Sequence, residues 1–326
     1  MIKTIARSIR RCLVLLMAKL TATCLRLLPG NPAFDIFYKQ GFYCLRKHYL
    51  LPIPDETDLT DMYWDEDSKL IGLDMNDKQA LNLLQDVFPR YTDEFRDTIP
   101  IHQSSPDPTQ FYLINGTYMA VDAHVYYIFI RHFKPKRIIE IGSGNSTIVA
   151  ATAAMRNLDE NGEAPTLIAI EPFPSTFLKK GLPGLSRLIE DKVQNVDLEL
   201  FTSLEAGDIL FIDSSHVLRS GGDVQREYLE ILPRLAPGIL VHIHDISLPK
   251  PYPRVYFENQ LYWNEQYLLQ AFLSFNARFE VLWPGNYMML KYPEIVCNVF
   301  PEFHIMREAY PMSEPSSFWI RSRKQP

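Results

Sequence analysis

Several things are scarce in this 326-residue chain, and each scarcity closes a route. Cysteine occurs four times, as Cys12, Cys24, Cys44 and Cys297, with no CxxC pair and no histidine at zinc-finger spacing. That argues against a disulfide framework and for reduced, mostly buried thiols in a cytoplasmic protein. A long apolar run is also missing. CLVLLMA (12–18) is the longest near the start, Lys19 and Arg26 interrupt the residues after it, and a spanning helix needs about 20 apolar residues. The same interruption, with no clean A-x-A site behind it, argues against a secretory signal. Basic charge is not in excess: a formal net charge of −6 gives no electrostatic reason to expect nucleic acid as a partner. Internal repeats and low-complexity tracts are absent. With 47% apolar and 22% charged residues, the composition is that of a folded chain with a large core.

The most local absence is of acidic residues in the first thirty positions, which hold Lys3, Arg7, Arg10, Arg11, Lys19 and Arg26. Without those six the chain keeps 27 basic against 39 acidic residues, so its body is near −12. Ile2, Ile5, Ile9, Leu13, Leu16 and Leu20 recur at helical spacing opposite the basic positions. Two readings stand side by side. One is an amphipathic helix at a membrane surface, which makes the protein peripheral to a membrane. The other is a helix packed on its own domain with its basic face solvated. Oligomeric state is open.

The spacing divides the remainder into a helical extension or cap over 31–105 and an α/β domain over 106–326. In the extension, helical patterns occupy 34–50 and 77–88, and a further one runs over 119–133. From Lys136 onward, strand-like and helix-like segments alternate, the mark of a parallel sheet covered on both faces. Candidate strands are RIIEIG (137–142), TLIAIEP (166–172), DILFID (208–213), GILVHIHD (238–245), FEVLW (279–283) and SSFWIRS (316–322). The first four are near-continuous apolar runs, as expected of strands buried on both faces. Helices are expected over 147–158, 175–182, 223–235 and 263–275, and a partly helical insertion over 287–300. The fold class is α/β: a doubly wound, Rossmann-like sheet, mostly parallel, with an antiparallel C-terminal strand.

RIIEIGSGNSTIVAATAA (137–154) has the strand, Gly-rich turn and helix of a nucleotide site. Gly142 and Gly144 remove Cβ atoms where the backbone turns sharply and a ligand approaches. Thr147 stands where a dinucleotide fingerprint has its third glycine. Glu140, inside the strand, would repel a pyrophosphate but suits a ligand with an ammonium group. Glu171 ends the second strand, where a carboxylate accepts hydrogen bonds from a ribose diol. The two following strand ends carry Asp213 and His216 (FIDSSH), then His242, His244 and Asp245 (VHIHD). Neighbouring parallel strands open over one crevice, so Asp213 and Asp245 are expected to face one cation from adjacent loops. His242 reads as a core histidine, and His216 as a proton acceptor because an ordinary imidazole titrates near pH 6.5. Asp223 reads as a helix cap.

These motifs resemble class I S-adenosylmethionine-dependent methyltransferases, and DSSH with VHIHD resembles the group that includes macrolide-sugar O-methyltransferases. The resemblance covers about 110–322. It implies a cofactor site at Glu140, Gly142, Ser143, Gly144, Asn145, Ser146, Glu171 and Asp213. It also implies a divalent metal, Mg²⁺ or Mn²⁺, at Asp213, His244 and Asp245, with His216 as catalytic base. His244 departs from the carboxylate usual there. The function implied is methyl transfer from S-adenosylmethionine to an oxygen of a hydroxylated small molecule or sugar. The aromatic stretch Tyr252–Tyr267 is a candidate acceptor wall. Two rivals remain: an NAD-dependent oxidoreductase, disfavoured by Glu140 and Thr147, and a membrane-surface scaffold that keeps the fold without catalysis.

Overall fold

In the computed structural model, residues 2–27, 30–45 and 47–324 are described. The chain divides into two units at Asp55/Glu56. The first contains helix α1 (Ile2–Leu27) and helix α2 (Gly30–Lys39). The helical pattern expected to run on to residue 50 stops at Lys39, where Gly41 takes a left-handed conformation (φ +83°) and closes a turn.

The second unit starts at Glu56, so much of the expected extension belongs with the sheet. Ala80, Leu83, Leu84, Phe88, Phe95 and Ile99 are buried in the same core as the sheet's own helices. Those helices are α3 (Asp122–Phe133), which precedes the first strand, and α4 (Asn145–Asn161), which follows it.

Seven strands form one sheet in the order β3-β2-β1-β4-β5-β7-β6. They are β1 (Arg137–Ile141), β2 (Thr166–Ile170), β3 (Arg187–Ile189), β4 (Ile209–Ile212), β5 (Leu240–Ile243), β6 (Phe279–Pro284) and β7 (Phe318–Ser322). The five from β3 to β5 pair in parallel, and β7 inserts antiparallel between β5 and β6. Six strands fall where the apolar runs predict them. The seventh, β3, has no counterpart among the predicted strands. It is a three-residue edge strand, paired on one side only and partly exposed, so it carries no apolar run to find. A helix over Glu302–Ala309 also lies outside the expected elements.

A buried core covers each face of the sheet. Register aligns Glu140 with Phe211, Phe211 with His242, and His242 with Trp319 across four strands. One face of this row meets Tyr126 of α3, whose ring stacks on Phe211 at 4.6 Å. The chain leaves β1 toward β3 on one side and passes from β4 to β5 on the other. The carboxyl ends of β1 and β4 therefore bound the switch-point crevice where ligands bind in such sheets.

Candidate active site

At the end of β1, Gly142 has φ +86°, and a Cβ there would lie 1.9 Å from the carbonyl oxygen of Asp213 at the end of β4. No other residue permits so close an approach of the two strand ends. Glu171, just past β2, accepts backbone N–H bonds from Ser143 (3.2 Å) and Phe173 (2.8 Å). Its carboxylate is thereby fixed while its remaining lone pairs stay open.

Thr147 closes the turn in place of a third glycine. Its hydroxyl accepts the N–H of Gly144 at 3.0 Å, and its side chain is fully buried. Glu140 sits behind the turn rather than on a cavity wall. It is fully buried, with Oε1 accepting from the Tyr126 hydroxyl at 2.9 Å and Oε2 without a partner. Burial pushes its pKa up to about 7, and the charge of Asp213 adds to the rise against hydrogen bonds from Thr147 and Tyr126. Asn145 points its amide to the Thr117 hydroxyl (2.7 Å), and Ser146 is buried at the start of α4.

Beyond β4 and β5 lies a denser cluster. His216 Nε2 is 3.3 Å from Asp213 Oδ1 and 3.4 Å from Asp245 Oδ2. Its other nitrogen, Nδ1, meets the fully buried Glu265 at 2.8 Å. Glu265 opens helix α5 (Glu265–Leu273), and its own N–H donates to the His216 carbonyl at 3.1 Å. The start of α5 thus grips His216 by backbone and side chain together. Both His216 (φ +57°) and Asp245 (φ +55°) are held in the left-handed region, costly for residues with a Cβ and sustained here by these contacts.

Burial disfavours the imidazolium of His216. Hydrogen bonds to Asp213 and Glu265, with the charges of Asp245 and Glu265, outweigh it and hold the pKa well above the ordinary value. Burial likewise opposes the charge on Asp213, but His244 and His216 pull its carboxyl below the usual range. His216 thus sits among three carboxylates that favour its protonated form.

Ligand atoms of Asp213, His216 and Asp245 lie within 4.8 Å of one another, the one such group among the described residues. His244, expected in that set, falls outside it. Its Nδ1 faces His242 Nε2 at 3.2 Å and its Nε2 is 3.9 Å from Asp245 Oδ1. The cause is the strand pleat: His242 and His244 share a face and stack in series, so His244 is engaged from below. His242 is fully buried against Phe211, with rings 4.1 Å apart, and burial holds its pKa well below the usual value.

Two cavities flank the cluster. One, of about 690 Å³, is lined by Gly142, Glu171, Lys192, Asn195, Asp213 and Arg219 among others. The other, of about 580 Å³, is lined by Asp122, His244, Asp245, Tyr252, Tyr256 and Asn286 among others. Asp213 faces the first and Asp245 the second, and His216 joins them without lining either.

Residues 139–246, which span both strand-end motifs, match the family model described as a methyltransferase domain. This segment is thus similar to a methyltransferase domain, and the sheet around it has the strand order of a Rossmann-like methyltransferase fold. A curated protein of Archaeoglobus fulgidus, itself uncharacterized, is 33% identical over 144 residues, covering 43% of this chain and 61% of that protein. Among solved structures, a Podospora anserina methyltransferase with bound S-adenosylhomocysteine has a TM-score of 0.40 at 19% identity, covering 85% of this chain and 100% of that one. A putative O-methyltransferase from Klebsiella pneumoniae scores 0.35 at 14% identity, with coverage of 77% and 100%. At such scores the fold assignment rests on the strand order itself.

In this methyltransferase domain the larger cavity takes three of the residues expected at the cofactor, Gly142, Glu171 and Asp213. Glu140, Ser143, Gly144, Asn145 and Ser146 build the turn beneath and beside it. Asp122, from the start of α3, accepts N–H bonds from Ser316 (2.9 Å) and Ser317 (3.0 Å). Asp223 accepts from the Ser215 N–H (3.1 Å) and hydroxyl (2.6 Å), so it braces the loop after β4 besides starting a helix. Glu265 and Arg219 were not legible as site residues. No local pattern marks either, because each arrives from a different element.

Proposed function

We propose that the protein transfers a methyl group from S-adenosylmethionine to an oxygen of a hydroxylated small molecule. The observation that carries this reading is the placement of Asp213, His216 and Asp245 between two cavities at the switch point. S-adenosylmethionine supplies a methyl carbon on a positively charged sulfur. The larger cavity fits it: Gly142 leaves a cradle that a Cβ would fill, and Glu171 presents a fixed carboxylate to a ribose diol. The anionic cluster at its inner end favours a cationic sulfur over a pyrophosphate, which supports this donor over a dinucleotide.

The acceptor enters the smaller cavity, where Asp245 orients its hydroxyl toward the donor side. Holding that oxygen in line with the transferring carbon is chiefly a positioning task. As the oxygen–carbon bond forms and the carbon–sulfur bond breaks, the hydroxyl proton passes to the carboxylate cluster, with Asp245 on the acceptor side. His216, gripped by Glu265, fixes Asp213 and Asp245 and offsets their charge.

The donor set also fits a divalent cation. Two carboxylates and one imidazole converge, and the outer nitrogen of the imidazole is held by a buried carboxylate, the usual arrangement behind a metal-bound histidine. Asp213, Asp245 and His216, the last deprotonated at Nε2, would hold it, and it would lower the pKa of the acceptor hydroxyl and fix its orientation. We assign the third ligand to His216 in place of His244.

Calorimetry with S-adenosylmethionine, paired with a labelled-methyl screen of phenols, sugars and alcohols, tests the reading. Asp245→Asn is expected to keep donor binding and lose transfer by about 100-fold. Absence of donor binding by the wild-type chain would sink the proposal. Transfer that survives exhaustive chelation would remove the metal alone.

A further inference from the structure

The first unit has two ordered helices and no core. Among the described residues of 1–55 none is buried, whereas the buried set of the second unit begins at Met75 and runs throughout it. Helix α1, 26 residues and about 39 Å long, leaves Ile9, Leu13, Leu16 and Leu20 more than half exposed on one face. By helical spacing Arg7 and Arg11 lie opposite that face and Arg10 flanks it, with the exposed Val14 and Leu15 also away from the stripe. Tyr38 in the last turn of α2, and Phe42, Tyr43 and Tyr49 after it, are exposed as well. A contiguous apolar stripe of this length on a folded chain marks an interaction surface.

Sequence chemistry chooses the occupant. A second copy of α1 would need apolar residues at a 3.5-residue repeat. Ile9, Leu13, Leu16, Leu20 and Leu27 fit such a seam, but the positions flanking it carry Arg10 and Lys19, and residues 1–30 offer no acidic side chain to pair with them across two copies. Residues 1–30 hold six basic side chains and no acidic one, so like charges would meet in a self-association. An apolar stripe with basic side chains and no acidic one around it is complementary to an anionic bilayer surface. Among the described residues no helix is long and apolar enough to cross a membrane.

We propose that α1 is an interfacial anchor that seats its Ile9–Leu13–Leu16–Leu20 face in an anionic lipid surface. Exposed rings after α2 suit the headgroup level of the same surface. This goes beyond the methyl-transfer reading and does not depend on it.

The test floats the full chain in a density gradient with vesicles of phosphatidylcholine alone or doped with about 30 mol% phosphatidylglycerol. The wild type is expected to float with the doped vesicles and to be largely released at about 0.5 M salt. Leu13→Glu/Leu16→Glu and Arg10→Glu/Arg11→Glu should each weaken partitioning by about 10-fold or more, with S-adenosylmethionine binding by calorimetry unchanged. The proposal is overturned if the wild type ignores anionic vesicles or if both variants float as well as it does. Light scattering that shows a dimer abolished by Leu13→Glu/Leu16→Glu would also overturn it, by giving the face to a second copy.

Discussion

At the residue scale, the site gathers carboxylates more densely than a soluble protein tolerates without compensation. Glu140 shows the cost most simply. Its folded pKa of about 7 lies above its ordinary 4.5, so the stability tied to its protonated form is complete below about pH 4.5. That contribution is lost as pH rises through 7. Glu140→Gln should therefore gain stability relative to wild type between about pH 5 and pH 8, by on the order of 2 kcal/mol. Urea denaturation at the two pH values checks this, and parallel profiles for the two proteins would contradict it. Glu265 acts through another residue, holding His216 Nδ1 at 2.8 Å. For Glu265→Gln we expect kcat to fall by about 10- to 100-fold with donor affinity retained. An unchanged kcat would leave Glu265 a structural group.

At the element scale, the sheet was legible because its central strands are buried on both faces and read as apolar runs. Gly142, Glu171, Asp213 and Asp245 were legible for a related reason: each stands at the carboxyl end of such a run, where the fold opens a crevice. The residues that stayed hidden are partners brought in by other elements. Glu265 lies 49 residues after His216, and only the docking of α5 brings them together. The contact of His244 with His242 was hidden because strand alternation names the face a side chain takes but not what it meets there. The surroundings of His216 were hidden for a different cause, since three carboxylates converge on it from separate segments. The Asp122 contact ties α3 to the start of β7 through two backbone N–H groups. Asp122→Ala leaves both donors without that acceptor and should cost about 1–3 kcal/mol, measured by chemical denaturation. A loss below experimental error would show that water replaces the carboxylate.

For the whole molecule, one sheet switch point organises two cavities with an ionised cluster between them, and a separate unit offers an uncovered apolar and basic face. The central claim is that the cavity beside Gly142 and Glu171 takes the methyl donor. Calorimetric titration of S-adenosylhomocysteine into wild type and Glu171→Ala tests it most directly, with NAD titrated in parallel. The account predicts saturable binding to wild type, weakened by about 10-fold or more in Glu171→Ala, and no heat from NAD. Equal binding to both proteins, or NAD binding in place of S-adenosylhomocysteine, would contradict it.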